Sequence, residues 1–418
     1  MYLFSGNKYR QFIKGERAEY PVLWWMAAGI SATMIWLPIL NAMMCIAFVL
    51  FWVYESRLRF RFHHKPLLFL SISFYVLTAV SFFYSKNQPE ALRILQLKLP
   101  LLLFPLVFAS GIEWSKKQIR LLLLFFSGSV AVFCLLTICN AALQALSARS
   151  VQALFGYTII PLKYVYASVA SLFCVFGVVI HLQELSYTRK FLSLHLLLIA
   201  LFFTTVFMLS NRMGIFLSCS IVLFYLLKAV RSVWVKWLSV GVFVLVLISL
   251  YVWNQTFRNK MVAFTQMNSS QLIKLDEDAS LGRTWDGLQL RLAIWQCAAG
   301  LIQKHFWTGV GVGDVQDSLQ QTYEERKFYF ASRFNTYNAH NQFMEQWLMT
   351  GVAGSSLLAL SLLIPLIQSI RSRRTLYSIF LVVFCLFCIT ESFLEISKGA
   401  VWFSFFNSIF AFQQHVDR

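Results

Sequence analysis

Charged residues are scarce in this 418-residue chain, at 13% of the total, whereas soluble domains carry about a quarter. Hydrophobic residues make up 58%, and the mean hydropathy is +0.64. This composition excludes a soluble protein and predicts an all-α polytopic membrane protein. Only 18 acidic residues oppose 36 Lys and Arg, which gives a net charge of +18. The cations form small clusters between apolar runs rather than one basic face, so we predict no nucleic-acid partner.

Acidic residues are rare within the apolar runs, where Glu391 is the single carboxylate that lies deep in a predicted span. Ion-coupled carriers bury carboxylates on the ion path, so this scarcity argues against a transporter. The acidic run at residues 276–278 is typical of a solvated surface rather than a metal site. We therefore predict no metal and no cofactor.

The cysteines offer neither a disulfide framework nor a metal site. Seven of the eight lie in apolar runs, where they are expected to pack as small apolar residues, and Cys297 lies alone in a long loop. Residues 1–20 are polar, and no small-residue cleavage site follows a short apolar core. We expect no cleavable signal peptide, so that the first span serves as the insertion signal.

Apolar runs long enough to approach a membrane span occur repeatedly along the chain. Pro38 divides the first two, and Pro100 and Pro105 predict a kink in the fourth. The hydropathy pattern predicts about 12 spans, at residues 22–37, 38–54, 66–84, 98–112, 121–141, 162–182, 192–209, 213–229, 237–253, 342–367, 376–394 and 399–413.

The distribution of Lys and Arg predicts the orientation of these spans. Every second connection carries a cation cluster, beginning with the four cations among residues 1–20. The positive-inside rule places these connections and both termini in the cytoplasm. The chain then divides into an N-terminal bundle of about nine spans (1–253), a large outer loop (254–341) and about three C-terminal spans (342–418).

The outer loop is the one long connection, and loops of this length are usually functional. Residues 283–304 carry apolar side chains at helical spacing, and a second, polar helix is predicted around 315–330. Between them, Gly309, Gly311 and Gly313 suggest either a tight turn or a phosphate-binding loop. No Lys-Ser/Thr pair follows the glycines, so the turn is the favoured interpretation.

A few isolated polar residues on the outer face are candidates for chemistry. His340 lies just before the tenth span, where it is either an interfacial residue or a general base, with Asn341 as the expected helix cap. Arg212, Arg291 and Lys98 are isolated cations on this face. Each could extend to the lipid head groups, or the three could converge on an anion, since guanidinium groups bind phosphate bidentately.

Four segments, in order, resemble the O-antigen ligase and polymerase superfamily of bacterial envelopes. LSNRMGIF (209–216) is similar to its Ser-Arg-Gly segment, and RLAIWQCAAGLIQKHFWTGVGVGD (291–314) to its Arg-x-x-x-Trp helix and glycine turn. AHNQFMEQWLMTGVAG (339–354) resembles its His-Asn-x-x-x-Glu stretch, and TESFLEISKGAVWFSFF (390–406) its C-terminal element. The first 200 residues match mainly in hydropathy.

The resemblance implies a lipid-carrier-dependent glycosyltransferase of the GT-C-like class. In that family a glycan on undecaprenyl pyrophosphate is moved at the periplasmic face to lipid A–core, with inversion and without a metal. Carried over to this chain, Arg212 and Arg291 would hold the pyrophosphate, and His340 would take the acceptor proton. Lys98 would be a third phosphate contact. The supporting residues expected around them are Asn338, Asn341 and Trp295.

The sequence departs from the family pattern beside Arg212, where Asn211 replaces a common Ser and Met213 a common Gly. Two alternatives within the superfamily stay open: an O-antigen polymerase and a protein O-oligosaccharyltransferase. An envelope transporter or flippase is the alternative from another class. The ligase interpretation predicts the bacterial inner membrane as location, with membrane lipids around the chain and the active site facing the periplasm.

Overall fold

A computed structural model describes residues 21–56, 62–230, 287–334 and 336–413, together with 232–234, 236–241, 245 and 285. The described residues form helices and no strand, as the composition predicts. Most of the predicted span 237–253 lies outside them, as do the acidic run 276–278 and residues 1–20. The helices are α1 (Pro21–Thr33), α2 (Pro38–Ser56), α3 (Lys65–Ser81), α4 (Gln88–Lys98), α5 (Pro100–Ala109), α6 (Lys116–Ala148), α7 (Ala167–Tyr187), α8 (Leu192–Met208), α9 (Arg212–Ala229), α10 (Gly287–Lys304), α11 (Val315–Glu325), α12 (Gln342–Arg371), α13 (Thr375–Thr390) and α14 (Ser397–Phe412).

Seven stretches of the described chain are long and apolar enough to cross a membrane. The helices α8 and α13 are apolar but shorter. The prolines divide the chain as predicted: Pro38 begins α2, and α4 ends just before Pro100 begins α5. The prediction of an all-α polytopic membrane protein is therefore confirmed.

The central helices of the bundle are α7 and α14, which are buried on nearly every side. Both helices carry buried polar side chains, such as His181 on α7 and Asn407 on α14, which are favoured in the bundle interior over the lipid-facing surface. Aromatic rings fill the space between these helices and their neighbours. Trp402 of α14 lies 4.8 Å from the Phe380 ring of α13, and Phe126 of α6 lies 5.2 Å from Phe406.

The described part of the outer loop, here called the loop domain, is also helical. Its core is built from α10, α11 and the first turns of α12, with Ala91 and Ile94 of α4 packed into it. It packs against a sharp kink in α12 at Gly351, where φ is +69°. A Cβ at Gly351 would lie 1.9 Å from the Trp307 carbonyl oxygen, so only glycine fits there. The amides of Val310 and Val352 then bond across this contact, to Leu348 (2.7 Å) and Phe306 (3.0 Å) respectively.

The glycine-rich turn at 305–314 joins α10 to α11, so the favoured interpretation of these glycines is confirmed. Its backbone amides bond to protein groups: Val312 N donates to Ser81 Oγ (3.2 Å), and Gly313 N to Ser85 Oγ (3.1 Å). The Asp314 carboxylate in turn accepts the amides of Lys86 and Asn87, at 2.7 and 2.8 Å. This turn therefore holds the loop domain on the end of α3 and does not present a phosphate-binding loop.

Candidate active site

His340 lies at the start of α12, with its imidazole bonded to a carboxylate from another part of the chain. Its Nδ1 is 3.0 Å from Oε2 of Glu391, which immediately follows α13. The two side chains are 24% and 15% exposed, so the pair is accessible at the edge of the bundle. A carboxylate on Nδ1 fixes the ring orientation and leaves Nε2 as the nitrogen that can accept a proton.

Arg291 of α10 bonds to the same carboxylate. Its Nη2 lies 2.5 Å from Glu391 Oε1, while Nε donates to the Thr390 carbonyl (2.9 Å) and Nη1 to the Gly287 carbonyl (3.0 Å). Within the part of the chain that the structure describes, these bonds use three of the five N–H donors of a guanidinium. Glu391 therefore joins the two predicted residues, His340 and Arg291, into one cluster.

Burial and the two partners act in opposite directions on the pKa of Glu391. Burial by itself raises this pKa, because it disfavours the charged carboxylate. The hydrogen bond from His340 and the positive charge of Arg291 outweigh burial, so the pKa of Glu391 lies below its ordinary value of 4.5. Glu391 is therefore an anion at neutral pH, and it can stabilise a proton gained by the imidazole.

The three predicted supporting residues all hold the backbone around His340. Asn341 caps α12, as predicted, by accepting the amides of Phe343 (3.0 Å) and Met344 (3.1 Å). Asn338 accepts the His340 amide at 3.1 Å, in a tight turn where His340 has a φ of +44°.

Trp295 bonds to Ala339, the residue that precedes His340. Its Nε1 donates to the Ala339 carbonyl at 3.0 Å, and Trp295 lies one helical turn after Arg291 on α10. One face of α10 therefore positions both the histidine segment and the guanidinium.

Lys98 ends α4 and is fully buried, which differs from the predicted position at the surface. Its Nζ lies 2.6 Å from Glu395 Oε1 and 3.1 Å from the Met349 sulfur. Glu395 Oε1 also accepts Gln342 Nε2 at 3.0 Å. The ammonium therefore points to the Glu395 carboxylate, which also binds Gln342, two residues after His340.

A further buried carboxylate, Glu345 of α12, lies beside this ion pair. Its Oε2 accepts the amide of Ala339 at 2.9 Å, so Glu345 holds the residue that precedes His340. Two further carboxylates are thus buried near helix ends, Glu345 in the first turn of α12 and Glu184 near the end of α7, while the expectation about carboxylates deep within the spans stays a prediction. Hydropathy windows average a single carboxylate with its apolar neighbours, and Glu184 is neutralised by Arg120.

Arg212 is the first residue of α9. Asn211, which departs from the family pattern, caps this helix by accepting the Gly214 amide at 2.8 Å. Gly214 supplies a close approach, because a Cβ there would lie 2.9 Å from Val206. The family commonly has a glycine directly after the arginine, where this chain has Met213, and here the glycine follows one position later, at Gly214.

The segment at 156–157 lies against the turn between α8 and α9. The Gly156 amide donates to the Met208 carbonyl at 2.9 Å, at the turn that leads into α9. Tyr157 next to it interacts electrostatically with Tyr337, whose ring lies 5.5 Å from the His340 ring. Burial raises the pKa of Tyr337, Arg291 lowers it and Tyr157 raises it, so this phenol is neutral.

The residues missed by sequence reasoning are the partners of the predicted ones: Glu391, Glu395, Glu345 and Gln342. The first two belong to the C-terminal element at 390–406, which carries a family resemblance but suggested no role for its carboxylates. They lie 51 and 53 positions from the residues they bond, His340 and Gln342, and no local pattern specifies such a pairing.

These features define an all-α polytopic membrane protein with a histidine–glutamate–arginine cluster where α10 and the start of α12 meet the end of α13. A protein-family model described as O-antigen ligase matches residues 196–359. This match confirms the resemblance to the O-antigen ligase and polymerase superfamily. No curated protein matches the sequence.

The matched range runs from α8 into α12 and contains Arg212, Arg291 and His340. It does not include Lys98, Glu391 or the rest of the C-terminal element. The match supports glycosyl transfer of the O-antigen ligase or related polymerase type, with a lipid-linked glycan and a lipid acceptor as the general substrates.

Proposed function

We propose that this protein is an O-antigen ligase that moves a glycan from undecaprenyl pyrophosphate to a sugar of lipid A–core. The reaction takes place at the periplasmic face of the bacterial inner membrane, with inversion and without a metal. The observation that supports it is the cluster of His340, Glu391 and Arg291, in a chain that matches the ligase family over two of these three residues.

His340 is the general base in this mechanism. With Nδ1–H donating to Glu391, Nε2 takes the proton from the acceptor hydroxyl as its oxygen attacks the anomeric carbon. The bond from that carbon to the pyrophosphate oxygen breaks on the opposite side, which inverts the configuration. The imidazole leaves the reaction protonated and paired with Glu391, as in other base–carboxylate pairs.

The arginines stabilise the leaving group. Negative charge develops on the pyrophosphate as the glycosidic bond breaks, and fixed cations stabilise it most in the transition state. Arg291 is held by Glu391 and two carbonyls, which orients its two other N–H donors for an anion. Arg212, the first residue of α9, is the second contact in this proposal.

Lys98 has a different role from the arginines in this proposal. A phosphate contact would require the ammonium to leave Glu395 and cross the packed segment behind His340, at the cost of an unpaired buried carboxylate. We therefore propose that Lys98, with Glu395 and Glu345, holds the segments 339–342 and 391–395 in fixed positions relative to each other.

A transfer assay with purified protein tests the mechanism, using glycan on undecaprenyl pyrophosphate as donor and lipid A–core as acceptor. His340→Ala and Arg291→Ala should both lose transfer. His305→Ala and Arg93→Ala are matched controls, because both residues are exposed and lie outside the cluster. Full transfer by both His340→Ala and Arg291→Ala would refute the mechanism.

The same assay distinguishes the ligase from its relatives when the acceptor is varied. A ligase glycosylates lipid A–core, a polymerase extends a second lipid-linked glycan, and an oligosaccharyltransferase glycosylates protein. A flippase would instead move the donor across proteoliposomes without forming a new glycosidic bond, and with little dependence on His340.

A further inference from the structure

A cavity opens at the opposite end of α9 from Arg212. It has a volume of about 440 Å³ and lies where α7 and α9 end, so one wall is the segment 185–189 and the other is Tyr225, Lys228 and Ala229. Because α9 has 18 residues and rises 1.5 Å per residue, the cavity lies about 27 Å from Arg212. It is therefore separate from the candidate active site.

The cavity is lined by cations and hydroxyl groups. Arg189 and Lys228 come from two different helix ends, and the lining residues include Ser186, Tyr187 and Thr188 but no Asp or Glu. The Lys228 ammonium donates to Thr375 Oγ1 at 3.3 Å, which holds it near the cavity beside the first turn of α13. Two cations without a carboxylate among the lining residues make a site for an anion.

The surroundings of the cavity are apolar and exposed. Tyr187 is 65% exposed and Phe191 74%, at the turn between α7 and α8, and Phe224 and Leu226 on α9 are each 46% exposed. In a membrane protein such side chains at helix ends face the acyl chains and the head-group layer. The anion that reaches the cavity can therefore carry hydrocarbon chains.

We propose that this cavity binds the head group of an anionic phospholipid, on the membrane face opposite the candidate active site. The phosphate bonds to Arg189 and Lys228, the hydroxyl-bearing residues 186–188 bond to the polar head, and the acyl chains lie along the exposed apolar residues. Basic cavities between transmembrane helices bind acidic lipid head groups by this combination of charge and apolar contact. The cations of this face thus do more than set topology.

The experiment is a titration of the detergent-purified full chain with phosphatidylglycerol, followed by native mass spectrometry to count bound lipid. Each Lys or Arg near an anionic lipid contributes about 1 kcal/mol, so Arg189→Gln with Lys228→Gln should weaken binding by about 30-fold. The matched control is Lys190→Gln with Lys117→Gln, which removes the same charge from exposed residues outside the cavity.

Three outcomes would overturn the proposal. The first is equal loss of phosphatidylglycerol in the control variant, since that would mean attraction by net charge alone. The second is equal binding of phosphatidylcholine, and the third is equal binding of inorganic phosphate, which would make this a site for free phosphate. The unfolding temperature of each variant without lipid separates a lost site from a lost fold, and Arg189→Gln alone, with an expected loss of about fivefold, is the milder variant to use if the double variant unfolds.

Discussion

Glu391 and Glu395 lie four positions apart, and each pairs with a cation from another helix, Arg291 of α10 and Lys98 of α4. The two cations differ in their exposure. Glu391 pairs with Arg291 and His340, whose side chains are 27% and 24% exposed. Glu395 pairs with Lys98, whose side chain is only 1% exposed. The two carboxylates are similarly exposed, at 15% and 11%, so the difference lies in their partners. The same short segment therefore supplies one ion pair whose cation faces outward (the outward pair) and one whose cation is sealed in the protein (the sealed pair).

The difference in exposure assigns the two pairs to different tasks. His340 and Arg291 are accessible to a substrate, and the carboxylate that they share holds them in fixed positions for reaction. A pair excluded from solvent gains its stability from mutual attraction against a large desolvation cost, and losing one partner leaves a buried charge. Activity should therefore depend on the outward pair, and stability on the sealed pair.

The largest effect is expected for His340→Ala. Removing a general base costs about 10²- to 10⁴-fold in rate, so kcat should fall by that factor while the unfolding temperature stays near that of the wild type. The measurement is initial transfer rate in the purified assay, together with thermal unfolding in detergent. An unfolding temperature as low as that of variants of the sealed pair would contradict the proposal that activity depends on the outward pair and stability on the sealed pair.

Lys98→Met should mainly affect stability, because it leaves Glu395 buried without its cation. The expected loss is about 3–5 kcal/mol in the free energy of unfolding. Adding Glu395→Gln removes the orphaned charge and should restore a large part of that loss, which a chemical unfolding series can measure. If Lys98→Met keeps the wild-type free energy of unfolding but loses donor affinity, the structural role is wrong and the ammonium contacts phosphate.

Glu391→Gln should reduce kcat by about 10- to 100-fold, since a hydrogen bond to a charged group contributes about 1.5–3 kcal/mol. Because the pKa of Glu391 in the folded protein lies below its ordinary value of 4.5, the carboxylate is charged at every pH above 4.5, and its contribution to kcat is lost only as the pH falls through the lowered pKa. The wild-type pH–rate profile should lose this contribution only below 4.5, and the variant should lack that step. An identical acid limb in both proteins would contradict this role for Glu391.

The smallest effect is expected for Arg93→Ala on α4. Arg93 pairs with Glu90 one turn away, but its side chain is 62% exposed, and water screens such pairs. The loss in unfolding free energy should be at most about 1 kcal/mol, with transfer unchanged. A loss as large as that of Lys98→Met would show that exposure does not separate the two kinds of ion pair.

Much of this arrangement can be predicted from sequence. Hydropathy gives the helices, Asn341 before an apolar run predicts the cap, and the ordered motifs select Arg212, Arg291 and His340. These features are local, because each depends on a residue and its near neighbours along the chain.

The pairing of charges could not be predicted in the same way. Glu391 and Glu395 contact residues on α4, α10 and α12, and only the packed fold brings them together. An isolated lysine at a helix end is usually exposed, so the sequence alone does not predict that Lys98 is buried. Its burial results from the packing of α4 against other helices. Lys398 is similar: it is buried at the start of α14 and donates to the carbonyls of Met34 and Ile35 after α1.

The most direct measurement is the single-turnover rate of glycan transfer by purified His340→Ala, with donor binding measured in the same preparation. We expect donor affinity close to that of the wild type and a transfer rate at least about 100-fold lower. A rate within about threefold of the wild type, at equal donor occupancy, would contradict a general base at His340.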